Sequence, residues 1–559
     1  MAEVKKVNLK KLKNRVTAQK NHYETYIQPR HKENSEYIFP NRGRFADIDT
    51  IPNDGKKRYS KVIDHTAGLH AGRLAAALYD GLTPPSRPWN KYEMKNSSFM
   101  DIESVKAHFQ AVNETVGQTL HDTDFYNNIA DFFKEMVGFA VGSIFVDSDP
   151  IDLINFHTFT VGEYYIASDS KGKINTWYRK YSDTVDNIVD KFGEENVSQR
   201  VKEMIDKQGH EYVSIVHAIE PNRARDITMD DNLNMPFISV YYEEDNSDDK
   251  TVLRESGYEE MPSIVGRWES VSTEVYGHGP ADRALGTTKS LNQVEKDIQR
   301  ASKKTIDPPK NKPIKSKNKK TGAGTTTYYD PSQGATGTSA AYQINYDFQG
   351  AILVGDKMRD ALANIFNSDL FGAISRLDRS NMTATEISQR VAEAIRMLVE
   401  VVTRMNSEVL KPLLERVYKI LERAGKFPEP PREIEGMDVD IVFISSLAQA
   451  QLAVGIAGIE QVLDFVTRVA NVNPTIIDKF NSDEALDEYS RMAGTPVKIV
   501  RSDEDTAVIR QAQKVQESQL QTAEMMSQMA DGAQKLGNTP MGTGSALDTV
   551  IEGVQGASR

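Results

Sequence analysis

The 559-residue sequence contains no cysteine. That absence excludes disulfide bonds, thiolate metal ligands and thiol nucleophiles. The chain also lacks a clean apolar run of about 18 residues, the length that a membrane-spanning helix needs. The nearest approach is residues 446–470, which polar side chains interrupt, and we predict there a helix of a packed bundle. The basic N-terminus, MAEVKKVNLKKLKNRV, has no apolar core and is not typical of a signal peptide. We therefore expect no membrane partner and a cytoplasmic site of synthesis.

Motifs for catalysis are also missing. The ten histidines form no HExxH pattern, there is no Gly-x-Ser-x-Gly elbow, and GTTKS at Gly286 lacks the glycine spacing of a phosphate-binding loop. Two pairs of carboxylates stay open as magnesium ligands of a nuclease-like centre: Asp147 with Asp149, and Asp438 with Asp440. Each pair lies beside a predicted strand end, where solvated turn aspartates are common. We expect no cofactor, no metal and no enzymatic activity, with a metal-dependent DNA-processing enzyme at Asp147 and Asp149 as the alternative.

The formal net charge is −12, which argues against a protein whose whole surface grips nucleic acid. An acidic wall does suit a conduit for DNA, because it repels phosphates and leaves the polymer mobile. The periodicity of the first 270 residues predicts an α+β fold. Helices are expected over residues 58–82, 102–120 and 125–137, and an antiparallel meander over residues 143–268, with one helical interruption at residues 184–209.

Residues 276–366 predict a helical hairpin with a protruding tip. Its first helix opens at Pro280 and closes at Asp307-Pro308-Pro309, and apolar spacing resumes at Ile352. Tyrosine-rich segments after residue 324 suit β-strands that pair with a neighbouring chain. The tip carries a lysine cluster that is either a solubilising surface or a contact for DNA or a protein partner: Lys310, Lys312, Lys315, Lys317, Lys319 and Lys320.

A much longer helix is predicted after Thr385, with apolar residues spaced by three or four up to Ile420. Pro412 lies inside this run. Because proline lacks a backbone donor and clashes with the carbonyl four residues earlier, we predict a kink between Glu408 and Pro412. The connector before this helix, GAISRLDRSNM, carries Arg376 and Arg379 with little apolar anchoring, which is also typical of an ordinary surface loop.

Several of these segments resemble the portal, or head-to-tail connector, proteins of short-tailed bacteriophages. The resemblance is carried by YGHGP at residues 276–280, by TATE at residues 383–386 with the helix RMNSEVLKPLLERVYKIL, and by LYDGLTPPSRPW at residues 78–89. It covers about residues 10–500 as an order of segments.

The resemblance implies a homo-oligomeric ring, usually of twelve chains, at one capsid vertex of the virion. The ring would pass double-stranded DNA without sequence preference during packaging and ejection. It would dock the terminase large subunit and then the tail adaptor, and would contact the major capsid and scaffolding proteins. A tail adaptor ring is a second alternative.

The same resemblance implies an α/β wing, a two-helix stem, a small α/β clip, a helical crown and a long kinked tunnel helix. Arg376, Arg379 and Asn381 would then line the DNA tunnel. The regions are the wing at residues 1–280, the first stem helix at 281–303, the clip at 304–350, the second stem helix at 351–371, the tunnel loop at 372–385, the kinked helix with a wing strand at 386–445, the crown at 446–500, and a C-terminal helix and flexible tail at 501–559.

Overall fold

The computed structural model divides the chain into two units, Met1–Gly458 and Ile459–Arg559. The residues that it describes are 7–45, 58–96, 99–100, 102–149, 153–208, 210–229, 231–246, 252–306, 310–311, 339–340, 345–368, 398–444, 459–470, 479–493, 506, 509–516, 518–519 and 523.

The helices of the first unit begin at the N-terminus. Helix α1 is capped by Asn8, whose side chain accepts a hydrogen bond from the Lys11 amide at 3.0 Å. A π-helical turn, Tyr23–Ile27, leads into α2. The bounds are Leu9–His22 (α1), Gln28–Tyr37 (α2), Thr66–Leu82 (α3), Glu103–Asp122 (α4), Phe125–Phe139 (α5), Val185–Phe192 (α6) and Gln199–Gln208 (α7).

Two antiparallel sheets follow where one meander was predicted. A three-stranded sheet has the order β3-β2-β9 and a five-stranded sheet the order β4-β5-β6-β7-β8. The predicted helical interruption is confirmed as α6 and α7, between β5 and β6. The strands are Val141–Asp149 (β2), Leu153–Phe159 (β3), Tyr164–Ser168 (β4), Ile174–Thr184 (β5), Tyr212–Pro221 (β6), Phe237–Glu243 (β7), Arg254–Tyr258 (β8) and Ser263–Arg267 (β9).

Strand β2 is buried on both faces, and this splits the meander. Ile144 and Val146 pack into a cluster with the helices, while Val141 and Phe145 pack into a second cluster with the five-stranded sheet. Since successive side chains of a strand point to opposite faces, β2 serves two cores at once. The three-stranded sheet is therefore the middle layer between the helices and the larger sheet.

The C-terminal half of the first unit returns to the helical layer. Strand β1, Asn90–Met94, pairs antiparallel with β12, Val439–Phe443, and the register places Tyr92 opposite Ile441. Helices α8, Pro280–Ile306, and α9, Phe348–Ile365, pack against each other as the predicted hairpin. Residues 398–405 are helical and continue through a π-helical turn, Asn406–Leu410, into α10, Lys411–Arg423. Between α8 and α9, β10 (Lys310–Asn311) pairs antiparallel with β11 (Ser339–Ala340).

Described residues of the second unit are helical at 459–470 and in α11, Ser482–Ala493. The Tyr489 hydroxyl donates to Glu460 at 3.1 Å, and Arg510 pairs with Asp483 at 2.6 Å. Val462, Leu463 and Phe465 are exposed in this single chain, and the packed bundle helix over residues 446–470 stays a prediction. No described helix meets both the length and the hydropathy that crossing a membrane requires.

Three further differences separate the structure from the sequence-based predictions. The sequence pattern does not predict strands β1 and β8, because each is short and half-polar. Residues 58–61 form a 3₁₀ turn, and α3 starts at Thr66, where the Asp64 side chain accepts from the Thr66 amide at 2.8 Å. Tyr346 lies just before α9 rather than in a strand, because Asp347 caps that helix by accepting from the Gly350 amide.

Candidate functional site

The joint at residues 276–280 determines where the hairpin leaves the sheets. Tyr276 is buried, and its hydroxyl accepts from the Ile166 amide at 3.1 Å. A Cβ at Gly277 would lie 2.7 Å from the Ala140 carbonyl oxygen, and one at Gly279 would lie 2.9 Å from the Ala140 Cβ. Both glycines are therefore needed for close backbone approach. The YGHGP pattern is a structural joint.

The first turn of α8 is held by a carboxylate. Asp282 accepts from the Gly279 amide at 3.0 Å and from the side-chain amide of Asn34 at 2.7 Å, and Arg30 lies 3.6 Å away. A carboxylate at a helix N-terminus satisfies free amides and suits the helix dipole. Helix α8 therefore starts from a point tied to α2.

The base of the hairpin carries an ion-pair network that the sequence did not reveal. Arg359 of α9 pairs with Asp64 at 2.9 Å, with Asp356 at 2.8 Å and with Glu295 of α8. Burial opposes ionisation of Asp64, but hydrogen bonds from Thr66 and Arg359 outweigh it and lower its pKa. The buried Asn292 side chain accepts from the Ile63 and Asp64 amides at 2.6 and 3.1 Å. No motif marks Arg359 and Asn292, because Asp64 and Ile63, which they contact, lie more than 200 positions away in the sequence.

The lysine cluster lies almost wholly beyond the described part of the chain. Lys310 belongs to β10, whose pairing with β11 places it on the segment that extends from the hairpin. Lys312, Lys315, Lys317, Lys319 and Lys320 are outside the described residues. The contact role of the cluster stays a prediction.

The predicted tunnel loop is outside the described residues as well. Arg376, Arg379 and Asn381 fall between residue 368, near the end of α9, and residue 398, where the next helical segment is described. Their placement stays a prediction.

Pro412 is the second residue of α10 and directly follows the π-helical turn. The Lys411 amide donates to the carbonyl of Asn406, five residues back, and this wider turn gives the pyrrolidine ring room that a regular α-turn does not provide.

The same π-helical turn packs on β9. Glu408 in the turn pairs with Arg267 of β9 at 2.8 Å. A Cβ at Gly266 would lie 2.4 Å from Val409 Cγ2, so the turn rests directly on the β9 backbone. The predicted kink angle itself stays a prediction.

A buried arginine fastens α10 to the middle sheet. Arg416 is 3% exposed; its Nε donates to the Val146 carbonyl at 2.8 Å, and its Nη1 donates to the Glu260 carbonyl at 3.0 Å. Burial lowers the pKa of Arg416, while the attraction of Glu260 opposes that shift. Sequence reasoning missed this contact, although Arg416 sits at helical spacing between Leu413 and Ile420 on the apolar face.

Glu135 is a fully buried acid of α5 that sequence reasoning also missed. It accepts from Arg42 at 3.0 Å and from the Val161 amide at 3.2 Å. Burial raises the pKa of Glu135 to about 7, against the opposing pull of Arg42. A charged residue inside the apolar stretch FFKEMVGF was the available signal.

The two aspartate pairs, Asp147 with Asp149 and Asp438 with Asp440, lie in different surroundings. Burial raises the pKa of Asp147, although Arg416 lies near enough to oppose the shift, and Asp149 lies opposite Leu153 in the β2–β3 ladder. Asp440 pairs with Lys411 at 2.8 Å, which lowers its pKa. Within the described ranges, no three His, Asp or Glu side chains are grouped to hold a metal ion. No described contact favours the magnesium centre.

The segment LYDGLTPPSRPW at residues 78–89 also has a structural role. Trp89 is buried and stacks on Phe125 with ring centroids 5.9 Å apart, and its carbonyl accepts from the Ile444 amide at 2.9 Å. Thr83 is buried at the end of α3, where its hydroxyl donates to the Tyr79 carbonyl at 3.3 Å. The segment therefore links α3 to the β1–β12 ladder.

Comparison with known proteins gives matches along nearly the whole chain. The profile of a family described as bacteriophage head to tail connecting protein matches residues 9–500. A probable portal protein of Bordetella phage BPP-1 is 32% identical over 528 residues, covering 94% of this chain and 95% of that protein. The portal protein of Salmonella phage epsilon15 is 31% identical over 565 residues, with 100% of both chains covered. A chain from the virion of a native gene transfer agent particle matches with 10% identity and a TM-score of 0.34, covering 77% of this chain and 90% of that chain.

Proposed function

The chain belongs to the bacteriophage head to tail connecting proteins, and on that premise we propose that it is a portal protein. In this function it forms a ring at one capsid vertex. Double-stranded DNA passes through the ring during packaging and again during ejection, and the ring docks first the terminase motor and then the tail.

The observation that carries the proposal is the extent of the similarity. Two portal proteins are at least 31% identical over 94% or more of this chain, and the family profile runs through both the sheets and the hairpin. Because the similarity covers nearly the whole chain, the matched residues contain no unrelated second domain. A portal is a structural component of the virion, which accords with the expectation that the chain is not an enzyme.

Each part of the described fold has a role in this proposal. The two sheets and their helices are the wing, α8 and α9 are the stem, and β10 with β11 begins the clip. Residues 386–445 return through the π-helical turn to the wing, and residues 446–500 are the crown. The insert with its six lysines extends from the stem, so the clip is the surface that the terminase large subunit and later the tail adaptor contact.

The charge of the chain suits a conduit. A ring of acidic chains, at −12 each, repels phosphate and keeps DNA mobile. The tunnel loop carries Arg376, Arg379 and Asn381, which contact DNA phosphates inside the otherwise acidic ring without reading the base sequence. The ring sits in the capsid, where the major capsid protein surrounds it after assembly with the scaffolding protein in the host cytoplasm.

Native mass measurement of the purified chain tests this function. We expect a closed ring, with twelve copies as the specific expectation, that forms without added metal or cofactor. A monomer or dimer that cleaves DNA in the presence of magnesium would contradict the portal and would favour the enzyme alternative at Asp147 and Asp149.

Replacement of residues 312–338 by the turn Asn-Gly tests the clip assignment separately. The two-residue turn can close the β10–β11 ladder and leaves both stem helices in place, so the wing is expected to fold while binding of the terminase large subunit is lost. Replacing the six lysines by glutamine in the full-length chain is the matched control for charge alone. Unchanged terminase binding and packaging by the replacement variant would remove the clip from its proposed role.

A further inference from the structure

A cavity of about 930 Å³ lies beside the first residues of β4, the strand at one edge of the five-stranded sheet. Residues 179–182 of β5 form one part of its wall, and the loop at residues 41–45 forms another. Ligand pockets typically have volumes of about 300–1,000 Å³, so this cavity is large enough to hold a ligand.

Arg179 is the cation of this cavity that lacks a close partner among the described residues. Its Nη2 atom lies 3.7 Å from Glu163, beyond hydrogen-bond distance, and its Nε atom is buried with no hydrogen-bond partner. The other arginines and lysines of the lining each lie within 3.3 Å of a carboxylate oxygen. These pairs are Arg42 with Glu135 at 3.0 Å, Arg44 with Glu163 at 2.8 Å, Lys20 with Glu244 at 3.3 Å and Lys180 with Glu244 at 2.6 Å.

Aromatic rings hold the guanidinium of Arg179 in place. Its Cζ atom lies 3.9 Å from the ring centroid of Phe159 and 4.3 Å from that of Tyr181. Burial lowers the pKa of Arg179, against the attraction of Glu163. The Tyr181 hydroxyl is also buried without a hydrogen-bond partner. A rigid, poorly solvated guanidinium is a receptor for a carboxylate, which it binds through two parallel hydrogen bonds.

Next to Arg179, the backbone of β5 is open on the side of β4. Pairing between the two strands begins at Tyr164 and Arg179, and the Lys180 amide donates to the Glu163 carbonyl at 2.8 Å. Because backbone groups of alternate residues face the same side of a strand, the amide and carbonyl of Ser182 also face that side, beyond the reach of β4. Ser182 lines the cavity, so a peptide backbone that enters it meets a free strand edge.

We propose that this cavity binds an extended peptide segment of a partner protein through one aspartate or glutamate side chain. The carboxylate of that side chain accepts hydrogen bonds from the two terminal nitrogens of Arg179. The backbone of the segment pairs with Ser182 and continues the sheet. Residues of a single chain form the site, so this proposal does not depend on the ring proposed above.

Isothermal titration of the full-length chain with the capped tripeptide Val-Glu-Val tests the site, and capped Val-Gln-Val is the matched control peptide. Wild type is expected to bind Val-Glu-Val at least about tenfold more tightly, because the glutamine amide cannot form the charge-assisted pair. Butyrate matches the glutamate side chain but has no peptide backbone. It is expected to bind at least about tenfold more weakly than Val-Glu-Val, because it cannot pair with Ser182.

Variants of Arg179 separate binding from packing. Arg179→Gln is expected to abolish the preference for Val-Glu-Val and to keep the urea midpoint of wild type, because the guanidinium has no close partner to lose. Arg179→Lys keeps the charge but lacks the planar fork, so only part of the preference is expected to remain. Arg200→Gln removes an exposed arginine of α7 outside the cavity, and this control is expected to bind both peptides as wild type does.

Several results would contradict the proposal. Equal binding of the two peptides by wild type overturns the carboxylate site, and so does a preference that persists in folded Arg179→Gln. Butyrate that binds as tightly as the tripeptide refutes the strand pairing at Ser182. If Arg179→Gln does not fold, Arg179→Lys decides, since the full wild-type preference in that variant rules out the two-bond contact. Each of these results leaves ring formation, measured by native mass, as a separate test of the portal function.

Discussion

At the scale of single residues, the buried charges of this chain are positioning groups. Arg416 ties α10 to the carbonyls of Val146 and Glu260, and also contacts the Glu260 carboxylate at 3.2 Å. Arg423 reaches the same carboxylate at 2.8 Å from a half-exposed position. The Glu260 carboxylate thus pairs with a buried and a half-exposed arginine of the same helix, so the stability contributions of the two arginines can be compared directly.

Arg416→Ala is expected to lower the free energy of unfolding by about 3–5 kcal/mol, because the buried Val146 carbonyl and the partly buried Glu260 carbonyl lose their donor and the Glu260 carboxylate loses a buried partner. Urea unfolding followed by tryptophan fluorescence measures the change. Arg423→Ala is the control, with an expected cost of about 1 kcal/mol or less for an exposed pair. Equal costs for the two variants would show that the Arg416 contacts do not hold α10 to the sheet.

Glu135 makes stability depend on pH. Its pKa is about 7 in the folded chain and near its ordinary value of 4.5 in the unfolded chain. Between those values the folded chain keeps the proton that the unfolded chain has released, so the free energy of unfolding falls as pH rises through this window. We expect Glu135→Gln to reduce this slope, with a difference on the order of 3 kcal/mol across the window.

Urea midpoints at several pH values, for wild type and Glu135→Gln, measure the difference. Asp131→Asn is the control, since that carboxylate also contacts Arg42 but is half exposed. Burial opposes the ionisation of Asp131, but Lys134 and Arg42 outweigh it and lower its pKa. Parallel pH profiles for wild type and Glu135→Gln would show that Glu135 stays ionised in the folded chain.

At the scale of elements, the π-helical turn before α10 has two candidate causes. Pro412 removes a donor and crowds the preceding carbonyl, while Val409 and Glu408 pack against Gly266 and Arg267 of β9. Either the proline or the packing would favour a wider turn at Asn406–Leu410.

Pro412→Ala separates these causes. If the proline holds the turn, the variant is expected to regain a regular α-helix, to straighten, and to gain a backbone hydrogen bond, and the Arg267–Glu408 pair of 2.8 Å is expected to lengthen. A crystal or cryo-EM structure of the variant measures both. Retention of the π-helical turn would assign it to packing on β9, and Gly266→Ala would then be the variant that disturbs it.

At the scale of the whole molecule, the proposed tunnel placement of Arg376 and Arg379 gives a prediction for DNA retention. Arginine binds phosphate in bidentate fashion, yet the contact is screened at physiological salt, so repeated arginines resist slippage without locking DNA in place. Arg376→Ala combined with Arg379→Ala is expected to leave ring assembly intact and to reduce the retention of packaged DNA. The defect is expected to be largest at low salt and to shrink as salt rises, because salt screens the wild-type contacts.

Packaged DNA length and its loss from particles at two salt concentrations measure this effect. Lys357→Ala, on the exposed face of α9, is the control for removal of a cation elsewhere. Failed ring assembly with normal retention in residual particles would place the two arginines at a subunit contact instead of the tunnel.

Local patterns in the sequence were sufficient for much of this protein. The order of YGHGP, the lysine-rich insert and the long helix indicated the family, and period-two and period-3.6 spacing predicted α4, α5, α8 and most of the strands near their observed bounds. The predicted α3 ended correctly at Leu82 but began at residue 58 instead of Thr66. Residue types alone excluded disulfide bonds, and residue spacing alone predicted the α+β class. These properties depend on neighbouring residues, whose preferences act before any long-range contact forms.

Tertiary structure decided what distant segments do together. The β1–β12 ladder joins residues about 350 positions apart, Arg416 meets Val146 across 270 positions, and β2 divides two sheets because both of its faces are buried. Periodicity reports which face of an element is apolar, but it does not report which other element covers that face. The partner depends on the packing of the whole chain, and for this reason Glu135, Arg359 and Arg416 became visible as anchoring residues only in the folded molecule.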